Sequence, residues 1–296
     1  MTATQPSMLA ATLERARAIA REAGELILGG FRRGTAVREK GRSDLVTEHD
    51  EKCEKLVRAR LAEAFPDHGV VGEEGEAERV GRDLVWYVDP IDGTSNFAHG
   101  HPFFCVAMGL AQRSESGERP LAGVVLAPAM GLEWSGGRGL GVTRRTTGAM
   151  AGELVRVSRT ERLRDALCAT GFPAARASTA DNNYTAFLAM DAASHGVRRC
   201  GAAAMELCLV ADGAYDAFWD LGLKPWDVCA GAALVEEAGG RVSGFSGEPA
   251  TLGGGRIVAS NGKLHDEILG GLAARLPLPP LTLPGASALK TGSGVG

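Results

Sequence analysis

The clearest chemical signal in this sequence is a core strand that runs into two carboxylates. The apolar segment 84–88 is followed by Asp89, and Asp92 comes three residues later. A carboxylate at the end of a buried strand is costly unless a positive partner neutralises it. Pro90 restricts the backbone between the two acids, and the carbonyl of Ile91 lies between them. This spacing suits oxygen ligands that bridge two metal ions.

Other acidic residues stand beside further predicted core elements. Glu73 and Glu74 follow an apolar run, while Asp50 and Asp227 stand where helices are expected to begin. Each has a simpler interpretation taken alone, because Asp is a common helix N-cap and paired Glu residues are common in solvated turns. Several partly buried carboxylates can share one site when a cation holds them, and few basic residues lie in these segments. Oxygen ligands of this kind favour Mg²⁺, or Mn²⁺, over zinc.

The residues that follow Asp92 are suited to binding an anion. Gly93, Thr94 and Ser95 carry little side-chain bulk, and their backbone N–H groups are available if they open a helix or a tight turn. An anion beside Mg²⁺ indicates phosphate. The sequence lacks the GxxxxGK[ST] motif of P-loop nucleotide sites and the GxSxG motif of serine hydrolases. These patterns favour metal-assisted hydrolysis of a phosphate ester by water.

Composition supports a globular enzyme and argues against several other classes. The chain has 296 residues, of which 45% are hydrophobic and 23% charged, and its net charge is −4. The acidic balance disfavours nucleic acid as a direct partner, and no apolar run approaches the roughly 18–20 residues of a membrane span. The first residues do not resemble a secretory signal, and the six cysteines form no CxxC pair. We therefore expect a cytoplasmic protein with reduced thiols.

Alternating helical and strand-like segments are expected to position the acidic residues. Apolar periodicity predicts helices at the following approximate positions: 8–32, 50–65, 182–195, 201–212, 227–238 and 262–276. Strand-like runs lie between them, and such alternation favours layers of helices on sheets. We expect an N-terminal subdomain over 1–150 with the metal motifs, and a C-terminal subdomain over 151–275 that completes the site. The Pro/Gly/Ser-rich segment 276–296 is expected to be a disordered tail. His195 and His265 are interpreted as surface residues.

Taken together, these motifs resemble the inositol monophosphatase family of Mg²⁺-dependent, lithium-sensitive phosphatases. The resemblance covers roughly residues 8–275, and the matching segments follow the family's order and approximate spacing: Asp44–Asp50, Gly72–Glu74, Asp89–Phe97, Pro225–Asp227 and Ala238–Gly240. It implies an α/β protein built as a five-layered αβαβα sandwich of the sugar-phosphatase type. It also implies a phosphoric monoester hydrolase that lithium inhibits.

The resemblance implies a set of metal ligands. Glu73, Asp89 and the carbonyl of Ile91 would hold the activating Mg²⁺. Asp89, Asp92 and Asp227 would hold a second ion, and Glu73 would help to hold a weaker third. The expected cofactor is therefore two to three Mg²⁺ ions per active site, with Mn²⁺ as an alternative.

The resemblance also implies the residues that handle water and phosphate. Thr94, hydrogen-bonded to Asp50, would orient and deprotonate the attacking water. Asp50, Thr94 and Glu73 are thus the predicted catalytic residues. Gly93, Thr94 and Ser95 would donate hydrogen bonds to the phosphate oxygens.

Contacts to the leaving alcohol are expected on the C-terminal half of the chain. In the family, a Gly-Thr/Ala-Ala segment and a downstream acidic residue touch the hydroxyl groups of the inositol ring. Here the segment is Gly201, Ala202 and Ala203, and the acidic residue is Asp220, with Asp227 also counted as a substrate contact. Many relatives carry Glu at the position of Asp220, so the shorter side chain implies a longer or water-bridged contact.

The leading functional hypothesis is hydrolysis of inositol monophosphate or a similar small polyol phosphate. The same chemistry on histidinol phosphate, fructose 1,6-bisphosphate or a nucleotide 3′-phosphate stays open. A function of another class also stays open, because some bacterial relatives act as accessory proteins of RNA polymerase complexes. We expect a homodimer without a membrane partner, and Lys40 falls in the family's mobile catalytic loop.

Overall fold

The computed structural model describes residues 6–33, 37–41, 44–79, 81–115, 117–174 and 176–273. The predicted tail at 276–296 and the side chain of Lys40 lie outside this description. The helices are α1 Pro6–Gly30, α2 Glu48–Ala64, α3 Thr94–Ala98, α4 Tyr184–Ala193, α5 Ala203–Ala211, α6 Pro225–Glu237 and α7 His265–Ala273. None of these described helices has the length and apolar character needed to cross a membrane.

Two large sheets and one hairpin contain the strands. The strands are β1 Val37–Gly41, β2 Asp44–Thr47, β3 Gly69–Gly72, β4 Leu84–Asp92, β5 Cys105–Ser114, β6 Gly117–Ala127, β7 Leu132–Gly137, β8 Gly141–Thr146, β9 Glu153–Val155, β10 Leu167–Thr170, β11 Gly196–Arg198, β12 Ala217–Leu221, β13 Arg241–Ser243 and β14 Arg256–Ser260. Strands β3 to β9 form a seven-stranded sheet in sequence order, while the five-stranded sheet has the order β11-β10-β12-β14-β13. The pair β1-β2 is a separate antiparallel hairpin.

The elements stack in five layers. Helices α1 and α2 cover one face of the seven-stranded sheet, and α5 and α6 fill the space between its other face and the five-stranded sheet. Helices α4 and α7 cover the outer face of the five-stranded sheet. The predicted αβαβα sandwich is therefore confirmed.

Strand β4 shows how the sequence produces this layering. Trp86 and Val88 pack with α1 and α2, whereas Val85 and Tyr87 pack with α5 and α6. Successive strand residues point to opposite faces, so a strand buried on both sides must be apolar throughout. By the same alternation, Asp89 follows on the side of α5 and α6. The inner helical layer is where the site is built.

Most predicted helices and strands are confirmed to within a few residues, and the exceptions are short. The hairpin β1-β2 lies in the polar sequence between the first two predicted helices, and β8, β11 and β13 carry weak strand patterns. The expectation that His265 lies on the surface is wrong. Its ring is fully buried, and Ser243 Oγ lies 2.8 Å from Nε2 while Ser260 Oγ lies 2.9 Å from Nδ1. Two hydroxyl partners from neighbouring strands make the buried imidazole tolerable.

Candidate active site

Strand β4 does not end at Asp89, as the sequence suggested, but continues to Asp92 through a bulge. Asp89 pairs with Ala107 and Asp92 pairs with Cys105, so β4 has one more residue than β5 between the two pairs. Ile91 N–H donates to Asp89 Oδ1 at 3.0 Å, which stabilises the turn within the bulge. The bulge allows both carboxylates to be buried at the same end of the sheet, where Asp89 is 2% exposed and Asp92 is 8% exposed.

Asp92 lies across the N-terminus of α5. Its Oδ1 accepts a hydrogen bond from Ala203 N–H at 3.2 Å, and its Oδ2 accepts one from Ala204 N–H at 2.7 Å. The N-cap residue of α5, Ala202, makes no side-chain capping bond, so Asp92 supplies the cap from a distant part of the chain. Burial outweighs these bonds and raises the pKa of Asp92 to about 6.

Asp50 and Asp227 occupy equivalent places in two different helices. Neither is the N-cap, as the simpler interpretation had it; each stands three residues further on, in the first helical turn. Asp50 Oδ2 accepts the Thr47 N–H at 2.8 Å, and Asp227 Oδ2 accepts the Lys224 N–H at 2.7 Å. Each carboxylate is thus held by a backbone group of the preceding residues, as in a capping box. The capping boxes at the N-termini of α2 and α6 therefore fix the positions of these two carboxylates as well as stabilising the first turn of each helix.

Thr94 connects the turn after β4 to helix α2. Its Oγ1 lies 3.0 Å from Asp50 Oδ1 and 3.0 Å from the carbonyl oxygen of Ile91. Gly93, which precedes Thr94, has a φ of 93°, a conformation that glycine adopts without strain. Burial raises the pKa of Asp50. The chain reversal at Gly93 therefore places the Thr94 hydroxyl against a buried carboxylate.

The carboxylates lie close enough to repel one another. Burial raises the pKa of Asp89 far above its usual range, and the charges of Glu73, Asp92 and Asp227 raise it further. Burial also raises the pKa of Asp227 to about 7, and this side chain hydrogen-bonds with Asp89. Such mutual shifts arise where several acids share one buried site.

The donor set fits a hard divalent cation, although the carboxylates are not arranged around one. Among the described residues, no group of three or more Asp, Glu, His or Cys side chains is placed so that it could hold a metal ion. The predicted ligands are nevertheless all oxygen donors, and the structure brings the buried Asp89 and Asp92 together with the half-buried Asp227. A cation such as Mg²⁺ would remove their repulsion and matches their chemistry.

The predicted substrate segment lies directly against the Gly93 turn. A Cβ added to Gly93 would lie 3.2 Å from the carbonyl oxygen of Gly201 and 3.3 Å from the Cβ of Ala202. Gly201 is exposed, whereas Ala202 is fully buried and the Ala203 N–H is bonded to Asp92. Only Gly201 of the three presents an open surface in this arrangement.

Asp220 lies deeper than its predicted role suggests. It is buried, its Oδ1 accepts the N–H of Leu221 at 2.5 Å, and a Cβ added to Gly171 would stand 1.8 Å from its Oδ2. Burial, followed by the charge of Asp227, raises the pKa of Asp220 to about 8. The short side chain is therefore withdrawn against the backbone of Gly171.

Two residues of the site were not identified from the sequence. Asn96 Nδ2 donates to the carbonyls of Phe103 at 2.6 Å and Cys200 at 2.8 Å, and thereby joins the two halves of the site. Glu54 is buried and binds the turn that carries Glu73. A signal for Glu54 existed, because it stands four residues after Asp50 and so on the same helix face.

Comparison with known proteins gives independent support for the family. Residues 8–276 match the profile of the inositol monophosphatase family. The chain is 41% identical over 265 residues to the Nus factor SuhB of Pseudomonas aeruginosa, an alignment that covers 87% of this chain and 94% of that protein. It is 39% identical over 273 residues to the inositol-1-monophosphatase of Synechocystis sp., and the alignment covers 91% of each.

A solved structure agrees with these sequence comparisons. The structure of the inositol monophosphatase from Anabaena (Nostoc) sp. superimposes with a TM-score of 0.80 at 36% identity, and the match covers 91% of this chain and 98% of that chain. The order of the layers, the order of the motifs and the sequence identity thus all agree with the same family. The chain belongs to the inositol monophosphatase family of phosphoric monoester hydrolases.

Proposed function

We propose that this phosphatase is Mg²⁺-dependent and hydrolyses inositol monophosphate, or a similar small polyol phosphate, by attack of water on phosphorus. The observation that carries the proposal is the cluster of the buried Asp89 and Asp92 with the half-buried Asp227, beside the hydrogen-bonded pair Thr94–Asp50. A cluster of acids supplies cation binding, and the pair supplies a route for a proton. Phosphate-ester hydrolysis needs both.

In this proposal the acidic residues hold Mg²⁺, or Mn²⁺, as two to three ions. The ligands are the carboxylates of Glu73, Asp89, Asp92 and Asp227 and the carbonyl of Ile91. Mg²⁺ bound there would act as a Lewis acid on the phosphate and would make a neighbouring water more acidic. The bulge at the end of β4 keeps two of these carboxylates adjacent without strain in the rest of the strand.

The pair Thr94–Asp50 handles the attacking water. The Thr94 hydroxyl donates to Asp50 Oδ1, which leaves its oxygen lone pairs able to accept a proton from water. Asp50 is the final acceptor in this relay, with its other oxygen fixed by the N–H of Thr47 at 2.8 Å. Glu73, whose charge acts on Asp89, is the third member of the proposed catalytic group. A fixed acceptor orients the water before the reaction begins.

Phosphate and alcohol bind on the two sides of the Gly93 turn. The N–H groups of Gly93, Thr94 and Ser95 face the phosphate oxygens, because the first turn of a helix leaves its donors without helical partners. The leaving alcohol would bind towards Gly201 and Asp220, and Asp227 would hold the metal and contact the alcohol as well. Ala202 and Ala203 support this surface from behind.

A substrate panel with released phosphate as the readout tests the proposal. The panel contains inositol 1-phosphate, histidinol phosphate, fructose 1,6-bisphosphate, a nucleotide 3′-phosphate and an aryl phosphate. We expect the highest kcat/KM on inositol 1-phosphate and inhibition by millimolar lithium. If the enzyme hydrolyses inositol 1-phosphate no faster than the aryl phosphate, the assignment of a polyol phosphate as substrate is wrong.

One observation favours a bisphosphate substrate as the second candidate. The exposed Arg199 lies with its guanidinium 6.0 Å from the centre of the Phe172 ring, next to the Gly171 backbone that holds Asp220. A cation at this rim could bind a second phosphate of a substrate such as fructose 1,6-bisphosphate. Arg199→Gln should then raise KM for the bisphosphate and leave KM for the aryl phosphate unchanged.

A binding function of another class has one supporting observation, the relative named Nus factor SuhB at 41% identity. From this likeness we infer an accessory contact with RNA polymerase complexes, separate from the hydrolytic site. A pull-down from a polymerase-containing reconstitution tests it, and the absence of polymerase subunits would eliminate it. The homodimer and the cytoplasmic location stay predictions, the first testable by light scattering.

A further inference from the structure

The turn that carries Glu73 is held by a buried carboxylate on helix α2. We propose that Glu54 is a positioning residue for Glu73 and that, with Arg58, it sets the affinity of the site for Mg²⁺. The inference rests on the proposed function, in which Glu73 is a metal ligand. Neither the sequence motifs nor the comparison with the family assigns this role to Glu54.

Glu54 binds the turn through two backbone donors. Its Oε2 accepts the N–H of Glu74 at 2.7 Å, and its Oε1 accepts the N–H of Gly75 at 2.8 Å. These donors belong to the two residues directly after Glu73. A carboxylate that accepts two successive backbone N–H groups fixes both peptide planes. The direction in which the chain leaves Glu73 is thereby fixed as well.

Arg58 completes the arrangement one helical turn further along α2. Its Nε donates to Glu54 Oε1 at 2.7 Å, and its Nη2 donates to the carbonyl of Gly75 at 3.1 Å. Gly75 is therefore held through its N–H and through its carbonyl by the two members of one ion pair. Glu54 is buried, so the pair is shielded from solvent and stronger than an exposed pair.

The turn wraps closely around the Glu54 carboxyl group. A Cβ added to Gly72 would lie 2.5 Å from the Glu54 carboxyl carbon, and one added to Gly75 would lie 2.9 Å from Oε1. Glycine at both positions allows the backbone to approach the carboxylate from two sides. Glu73 stands between these two close contacts, so its backbone has little freedom while they persist.

The turn borders an open groove on the side of α2. A groove of about 440 Å³ lies between α2 and the turn, and Lys55, Arg58 and Glu78 are among the residues that line it. The contacts that join the turn to α2 beside this groove include the polar bonds to Glu54 and Arg58, while the backbone pair of Val70 and Glu78 closes the base of the loop. Glu54 also stands four residues after Asp50, so one face of α2 supports the water-handling pair and the Glu73 turn together.

Loss of a residue that orients a metal ligand usually weakens metal affinity or activity by about 10–100-fold. In Glu54→Gln, the amide replaces one acceptor oxygen with a donor that opposes a backbone N–H, while size is retained. We expect the Kd for Mg²⁺, measured by titration calorimetry on the full chain, to rise at least about tenfold. Amide exchange at Glu74 and Gly75 should accelerate, whereas kcat in saturating Mg²⁺ should recover most of the wild-type value.

The matched control is Glu63→Gln, which removes an exposed carboxylate from the last turn of the same helix. Its Kd for Mg²⁺ should equal that of the wild type. Arg58→Gln, which keeps the Glu54 carboxylate, provides a second variant if Glu54→Gln does not fold. It should weaken Mg²⁺ binding in the same direction.

The outcomes separate this inference from the proposed function. A wild-type protein that neither binds Mg²⁺ nor needs it would overturn the proposed function itself. A wild type that requires Mg²⁺, with Kd unchanged within about twofold in Glu54→Gln or in Arg58→Gln, would overturn the role of Glu54 alone. A uniform loss of amide protection across α2, without a change in Kd, would also overturn it and would leave Glu54 a purely structural residue.

Discussion

Thr94 Oγ1 lies 3.0 Å from Asp50 Oδ1, so the first turn of α3 is joined to the first turn of α2 across 44 positions of the sequence. The opposite oxygen of Asp50 accepts the N–H of Thr47 at 2.8 Å and its hydroxyl at 2.5 Å. The carboxylate is therefore fixed from one side and presented to a single hydroxyl on the other. This arrangement is what a proton relay from water requires.

The first prediction concerns that relay. Thr94→Val keeps the shape of the side chain and removes the hydroxyl, so kcat should fall about 100-fold or more, with KM changed only slightly. Thr94→Ser, which retains the hydroxyl, should keep most of the activity. Steady-state phosphate release on inositol 1-phosphate measures both. A valine variant with near-normal kcat would exclude Thr94 from proton transfer.

The second prediction concerns the cation cluster. Asp89→Asn preserves size but removes a charge where charge develops in the reaction, so kcat should fall by about three orders of magnitude. In the absence of metal, the melting temperature should not decrease, because a buried and mutually repelled carboxylate is lost. Asp67→Asn, at a highly exposed side chain, is the control. If Asp89→Asn retains the wild-type kcat in saturating Mg²⁺, Asp89 is not a metal ligand in the reaction.

The third prediction separates alcohol recognition from phosphate chemistry. Gly171→Ala would place a Cβ 1.8 Å from Asp220 Oδ2 and so displace the carboxylate. A lost hydrogen bond to a polyol hydroxyl should raise KM for inositol 1-phosphate about tenfold. KM for an aryl phosphate, which has no such hydroxyl, should stay constant. Equal changes in KM for both substrates would show that Asp220 does not contribute to recognition of the alcohol.

The fourth prediction concerns the stability of the fold towards acid. Burial, with a smaller contribution from Arg241, lowers the pKa of His265 from 6.5 to about 4. The unfolded chain then binds this proton more readily than the folded chain between those two values. The contribution of His265 to the free energy of unfolding should therefore be fully present above pH 6.5 and should fall by up to about 3 kcal/mol as the pH decreases to 4. The raised pKa values of Asp92, Asp220 and Asp227 act in the opposite direction, so the variant must be compared with the wild type.

Urea unfolding at a series of pH values measures this dependence. His265→Asn should be less stable at neutral pH but should lose less stability between pH 6.5 and 4. His195→Asn, at an exposed position, should follow the wild type. Parallel profiles for the wild type and His265→Asn over this range would contradict the burial of a neutral imidazole at position 265.

Local sequence patterns predicted layers of helices on sheets. They also predicted which strand and helix ends carry the acidic residues. The apolar run before Asp89 needs only side-chain alternation and burial to be recognised as a core strand. The Thr47–Asp50 spacing similarly marks a helix start. Both signals act over a few residues, where backbone geometry decides which side chains can meet.

Such patterns could not predict contacts that depend on packing between distant segments of the chain. Helix α5 begins at Ala203 without a local capping side chain, and nothing in its sequence indicates that Asp92 satisfies its N–H groups. His265 likewise carries no mark of burial within its own helix, because its hydroxyl partners Ser243 and Ser260 stand at the ends of strands β13 and β14. The depth of Asp220 depends on the backbone of Gly171, which only the assembled sheet brings near.

The central claim is that the buried carboxylates serve catalysis by holding Mg²⁺. The most direct test is phosphate release from inositol 1-phosphate by the full chain, first with excess chelator and then during titration with Mg²⁺. The account predicts no release above background in chelator, followed by saturable restoration that Asp89→Asn fails to show. Full activity of the wild type in excess chelator would contradict it.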